Sequence, residues 1–198
     1  MGKPEIEEDV ERLTKVRETA GRLPVMVDAN QGWDIGWAGR AIRAFEPLSP
    51  YWIEEPLLAD DIDGHARLRP LVRTPFAIGE NVYTLQQFSQ FLTRGACDFV
   101  QVDVVRVGGI TPYLEIAALA RAFGVPLAPH FMMELSGQLL CCLPHGHILE
   151  NIDGGSLTDL GALSEPIRIE DGHFTPPDAP GHGILFDRAA LAAHAVEG

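Results

Sequence analysis

The sequence predicts an α/β fold: an incomplete (β/α) barrel of about six strands, followed by a C-terminal hairpin and tail. Three observations predict it. Short apolar, β-prone stretches alternate with helical segments at a nearly constant interval, which argues for parallel strands joined by crossovers. Six of these stretches end on an ionisable residue. The chain of 198 residues is 46% hydrophobic, enough for the core of one globular unit.

The elements follow in order. Ile6, Val10, Leu13, Val16 and Ala20 recur at helical spacing, Gly21 stops that helix, and "LPVMVD" is the first strand. A helical segment around Arg40–Glu46 leads to "YWIEE", one around Asp61–Leu71 to "PFAIGE", and Thr84–Thr93 to "CDFVQVD". Thr84 with Gln87 forms a capping box. The next helix has Thr111 as its N-cap, Pro112 in its first turn and Gly124 as its stop, before the strand "VPLAPH". Leu135–Leu143 is a further helix and "HGHILE" the last strand. Residues 1–160 are thus read as an incomplete barrel and 161–198 as a hairpin, turning at Asp171-Gly172, with an irregular tail packed on it.

The last residues of the six strands are Asp28, Glu54, Glu80, Asp103, His130 and Glu150, separated by 26, 26, 23, 27 and 20 residues. In a parallel barrel the strand C-termini converge on one face, where the active site lies. Carboxylates gathered there with no cation nearby in sequence repel one another and are driven towards protonation. A hard divalent cation relieves this, and Mg²⁺ suits an all-oxygen donor set. Taken singly, an acid at a strand end is more often a cap or a solvated loop residue. Asp34 and Asp61 are assigned to capping, the acids of Glu5–Glu11 to a solvated helix face, and Cys97, Cys141 and Cys142 to the core.

Charge and composition exclude other classes. A formal net charge of -13 opposes nucleic-acid and anionic-membrane surfaces. No apolar run approaches the ~18 residues of a membrane span, and no leader pattern is present. Three cysteines give no paired framework, so a reducing, cytoplasmic setting is expected.

"VMVDANQGWD", "YWIEEPL", "AIGEN", "DFVQVDVVRVGGIT" and "PLAPHFMMEL" resemble the successive barrel motifs of the enolase superfamily, in its mandelate racemase subgroup. The resemblance implies a partial TIM-type (β/α)7β barrel, with Asp28, Glu54 and Glu80 as Mg²⁺ ligands and Glu55 pointing away. It further implies Asp103 and His130 as a catalytic dyad, Glu150 as the acid that binds the substrate carboxylate, and Asn30 and Asn81 in the pocket or the ligand shell. The reaction implied is abstraction of a proton α to a carboxylate through an enediolate. "VDVVRVGGITPYLEIAALA" and "APHFMME" are most similar to dehydratases of aldonic and aldaric acid sugars, which form 2-keto-3-deoxy acids. A racemase or epimerase of a 2-hydroxy acid is the alternative, and a non-catalytic metal-binding remnant or an unrelated metal-dependent barrel are further ones. The family's Lys-x-Lys strand and N-terminal capping domain have no counterpart in this sequence, so the chain is expected to be a fragment with little turnover alone, and the full-length form a homo-oligomer.

Overall fold

The computed structural model describes residues 1–193 and residue 195. Each predicted helix forms, and the first four each lead into a strand of the sheet. Helix α1 (Ile6–Ala20) ends where Gly21, at φ 59°, donates its N–H to Arg17 O, and the chain then enters β1 (Val27–Asp28). Asp34 accepts from Trp37 N at 2.7 Å and starts α2 (Ile35–Phe45), which precedes β2 (Ile53–Glu54). Asp61 caps α3 (Ile62–Leu68) by accepting from Gly64 N, and β3 (Phe76–Ile78) follows. The Thr84–Gln87 capping box opens α4 (Leu85–Thr93), which leads to β4 (Phe99–Val100), α5 (Ile110–Ala122) and α6 (Met133–Cys141).

The sheet is parallel, in the order β1-β2-β3-β4, with Val27 opposite Ile53, Ile53 opposite Phe76 and Ala77 opposite Phe99. Parallel bridges from Val100 to Leu127 and from Leu127 to Gly146 continue the same order. The fifth and sixth predicted strands therefore join the sheet, but through single bridges. Pro126, Pro129 and Pro144 flank these bridges and have no N–H to extend a ladder. Helices cover the outer face, and Phe45, Phe76, Phe88, Phe91, Tyr113 and Ile116 are fully buried there. Each such side chain contributes about 1.5–3 kcal/mol of burial energy, an upper estimate because the unfolded chain is already partly compact.

The C-terminal hairpin pairs β5 (Ile169–Glu170) with β6 (His173–Phe174) around Asp171 and Gly172, at φ 50° and 75°. Two positive φ values are what a type I′ turn requires. Phe174 packs so closely on α6 that a Cβ at Gly137 would lie 2.7 Å from its ring. Met133, Leu163, Ile167 and Ile184 form a small cluster of their own beneath this segment.

Several local expectations are corrected. Helix α5 is capped by Gly109, which accepts from Tyr113 N, so Thr111 lies inside the first turn; Gly108 and Gly109, at φ 94° and 119°, set the turn that comes before. Helix α6 begins two residues earlier than predicted, and the tail carries a short helix, α7 (Arg188–Ala193). Val16 is half exposed. Asp9 is buried, not solvated: its carboxylate accepts from Gly2 N, Lys3 N and Arg12. Burial opposes its ionisation, but these donors outweigh it and hold the carboxyl below the usual range. Cys97 is a core thiol, whereas Cys141 and Cys142 are exposed because they occupy the solvent-facing end of α6.

Candidate active site

The strand register assembles the site. Asp28 and Glu54 are Cα partners at the ends of β1 and β2. Beyond β3, Gly79 passes β4 so closely that a Cβ would lie 2.6 Å from the carbonyl carbon of Gln101, and this passage delivers Glu80 to the same mouth. The backbone bends sharply within three residues of three of the predicted residues: Asn30 and Gln31 after Asp28, Glu55 after Glu54, and Phe131 and Met132 after His130 all have positive φ. Elsewhere, among the described residues, only Ser49 and Asp171 share this non-glycine conformation. Such strain costs about 1–3 kcal/mol per residue and gathers where side chains must be aimed.

His130 is the centre of the hydrogen bonding. Its Nδ1–H donates to Asp103 Oδ2 at 2.7 Å, and its Nε2 lies 2.8 Å from Glu80 Oε2 and 4.0 Å from Glu150 Oε2. Both ring nitrogens face acceptor-only carboxylates, the arrangement an imidazolium satisfies with two donors. Asp103 Oδ1 is itself fixed by Val105 N and Arg106 N, and Glu150 Oε2 accepts from Phe131 N. Asp28 accepts from both the main-chain and the side-chain nitrogen of Asn30. Asn81 Nδ2 donates to Glu80 Oε1 at 2.7 Å and to Glu55 Oε2 at 2.8 Å.

Electrostatics follow from this crowding. Burial, then the neighbouring charges of Asp28, Glu150 and Glu80, raise Glu54 to about 8, against a hydrogen bond from Gln101. Burial and Glu80 also raise Asp28, against Asn30. The hydrogen bond from His130 holds Glu80 low. Burial would lower His130, but its bonds to Asp103 and Glu80 raise it to about 10. Asp28, Glu54 and Glu80 thus share one mouth and feel one another's charge. Among the described residues, however, no three acid, histidine or cysteine side chains converge closely enough to hold a metal as they stand. Asp28 is turned to Asn30, and Glu80 to His130 and Asn81. The donor chemistry fits a hard dication: three carboxyl groups, two of them pushed towards protonation by burial and mutual repulsion, which a nearby positive charge reverses.

Residues 1–190 match the family model described as "Enolase C-terminal domain-like". The chain belongs to that enolase family. An L-talarate/galactarate dehydratase of Salmonella typhimurium is 42% identical over 191 residues, covering 96% of this chain and 47% of the relative. The solved structure of a racemase from Streptomyces coelicolor with bound magnesium superposes at a TM-score of 0.92 with 36% identity, covering 99% of this chain and 54% of that one. An L-talarate dehydratase from Polaromonas sp. JS666, complexed with Mg and L-glucarate, superposes at 0.89 with 40% identity, covering 97% and 51%. The chain spans about half the length of these relatives. Its enolase-family membership, its parallel α/β barrel fold and its place among enzymes agree with the sequence reading.

Two features of the enolase-family site were misread and one was missed. Strict strand alternation would point Glu55 away, but its φ of 40° ends the alternation and its buried carboxylate returns to Asn81 beside Glu80. A mouth without nearby cations was expected, yet Arg106, three residues after Asp103, lies 3.6 Å from Glu80 Oε1 and 3.7 Å from Asp103 Oδ2. A lone arginine just beyond an acidic strand end was the available signal. Gln101, buried beside Glu54, was missed because an amide in a strand carries no charge signature. No described helix is long and apolar enough to cross a membrane.

Proposed function

We propose that this chain carries the metal-binding and acid–base residues of a Mg²⁺-dependent enzyme that removes a proton α to a carboxylate, acting as a dehydratase of aldonic or aldaric acid sugars. One observation carries the reading: His130 is pinned at Nδ1 by Asp103 and presents Nε2 into the mouth where Asp28, Glu54, Glu80 and Glu150 meet. Asp28, Glu54 and Glu80 would hold Mg²⁺, which, when bound, supplies positive charge against the oxyanions of the enediolate. Asp103 fixes the ring orientation and supports the imidazolium. The α proton goes to a base supplied by the rest of the barrel, a lysine by the family resemblance, while His130 holds a proton at Nε2 that it gives to the departing β-hydroxyl so that water leaves. Glu150 and Asn30 orient the substrate. Because the chain spans half the length of its relatives, this activity is assigned to a protein in which the rest of the barrel is present.

The likeness to the magnesium-bound racemase supports a second reading, in which His130 serves as the base for one epimer. Two experiments separate the possibilities. Calorimetric titration of the 198-residue chain with MgCl₂ should show binding that Glu80→Gln weakens clearly; equal binding by both defeats the metal assignment. In an acid-sugar panel, a 2-keto-3-deoxy product supports dehydration, whereas deuterium uptake with inversion and no keto product favours the racemase.

A further inference from the structure

We infer that Arg106 is a positioning residue of this site, anchoring the Glu80 main chain and the Asn81 amide so that the Glu80 carboxylate is kept at the mouth where a metal would bind; the inference rests on the Mg²⁺ reading above. One guanidinium nitrogen, Nη1, donates both to the main-chain carbonyl of Glu80, at 2.9 Å, and to Asn81 Oδ1, at 2.8 Å. The second bond decides how the Asn81 amide is turned. Arginine can only donate, so the amide oxygen faces it, and both Nδ2 protons are left for the carboxylates of Glu80 and Glu55. The first bond fixes the backbone from which the Glu80 side chain springs. Main chain and carboxylate of one proposed ligand are therefore held from the same point.

Arg106 also answers a charge problem. Glu55 is 1% exposed, one of its oxygens has no hydrogen-bond partner, and it stands beside Glu80. The guanidinium, 3.6 Å from Glu80 Oε1 and 3.7 Å from Asp103 Oδ2, places positive charge between the acids of two adjacent strands. It lies in the loop directly after Asp103, whose Oδ1 accepts the Arg106 N–H. The residue that fixes the dyad acid through its backbone thus fixes the Glu80 pair through its side chain. Partners that orient ligands in this way typically change metal affinity by about 10–100-fold when removed.

The test is Mg²⁺ affinity of the 198-residue chain by calorimetry, with the Asn81 side-chain amide signals followed by NMR. Arg106→Met should weaken binding about 10–100-fold and shift or broaden the Asn81 amide pair. Arg106→Lys, which restores a donating cation on a shorter stem, should recover part of the affinity. Arg121→Met, at the far end of α5, changes net charge equally and should bind as the parent does. If Arg106→Met does not fold, Arg106→Gln takes its place. A parent that binds Mg²⁺ beside an Arg106 variant that binds equally overturns this inference alone. So does a loss matched by Arg121→Met, which would mean bulk charge. A parent that binds no Mg²⁺ overturns the underlying metal reading and this inference with it.

Discussion

The Nδ1 atom of His130 lies 2.7 Å from Oδ2 of Asp103, although 27 residues separate them in the chain. A carboxylate only accepts, so it admits one arrangement of the ring, with Nδ1 donating and Nε2 presented to the mouth. Asp103→Asn leaves the shape but offers either an oxygen or an amino group, and the ring is no longer pinned. The downfield Nδ1–H resonance of His130 should disappear. In any acid-sugar assay that the parent protein supports, turnover should fall by about 10²–10⁴-fold, the usual contribution of a positioned acid or base. An undiminished rate would mean that catalysis does not need Asp103 to fix the ring.

Gly79 tests whether strand packing sets the Glu80 position. A methyl group there would sit 2.6 Å from the Gln101 carbonyl carbon, and main chain cannot yield as a flexible side chain can. Gly79→Ala should cost about 1–3 kcal/mol, the range for overpacking, seen as a lower denaturant midpoint with unchanged m. It should also weaken Mg²⁺ binding, because Glu80 is the next residue. Full stability in the variant would show that the close approach relaxes freely.

The thiols separate buried from exposed sulfur. Burial pushes Cys97 up to about 12, so at pH 8 almost none of it is the reactive thiolate. Cys141 and Cys142 are exposed. A disulfide reagent in excess at pH 8 should titrate these two quickly and the third only after guanidinium is added. Three fast thiols would mean that the β4 end of the core opens readily.

The architecture was legible because its signals are local and repeated. Strand, helix and glycine stop recur with one period, and Thr84 with Gln87, Asp34 and Asp61 make caps whose chemistry lies within four residues. The six mouth residues were legible because a barrel converts strand ends into neighbours. What escaped depends on φ or on distant partners. Glu55 turns back only because its backbone leaves the strand region, and Asp9 is buried only because the main chain at Gly2 and Lys3 folds onto it. Arg106 was passed over, since its acceptors, Glu80 and Asn81, follow a different strand, β3. Thr111 was an attractive cap by residue type, but two positive-φ glycines had already started the helix.

His65 supplies the pH dependence. It is fully buried on α3, edge-on to Phe91 at 5.3 Å and Phe76 at 6.4 Å; its Nδ1 lies 2.9 Å from Asp61 O, and its Nε2 has no hydrogen-bond partner. Burial lowers its affinity for a proton, and the Asp61 carbonyl and charge offset only part of that. The unfolded chain therefore takes up a proton at a higher pH than the folded one does. Stability from this group is complete above about pH 6.5, the ordinary histidine value, and declines as the pH falls below it, by at most about 1.4 kcal/mol per pH unit. His65→Phe removes the titration and leaves no orphaned acceptor, because Asp61 O keeps its bond from the residue 65 main-chain N–H. Urea unfolding of parent and variant between pH 7.5 and pH 5 measures the difference. The gap should be constant above about pH 6.5 and should shift in favour of the variant below it. A gap that does not change across this range would mean that His65 is protonated equally in both states, and that its burial carries no electrostatic cost.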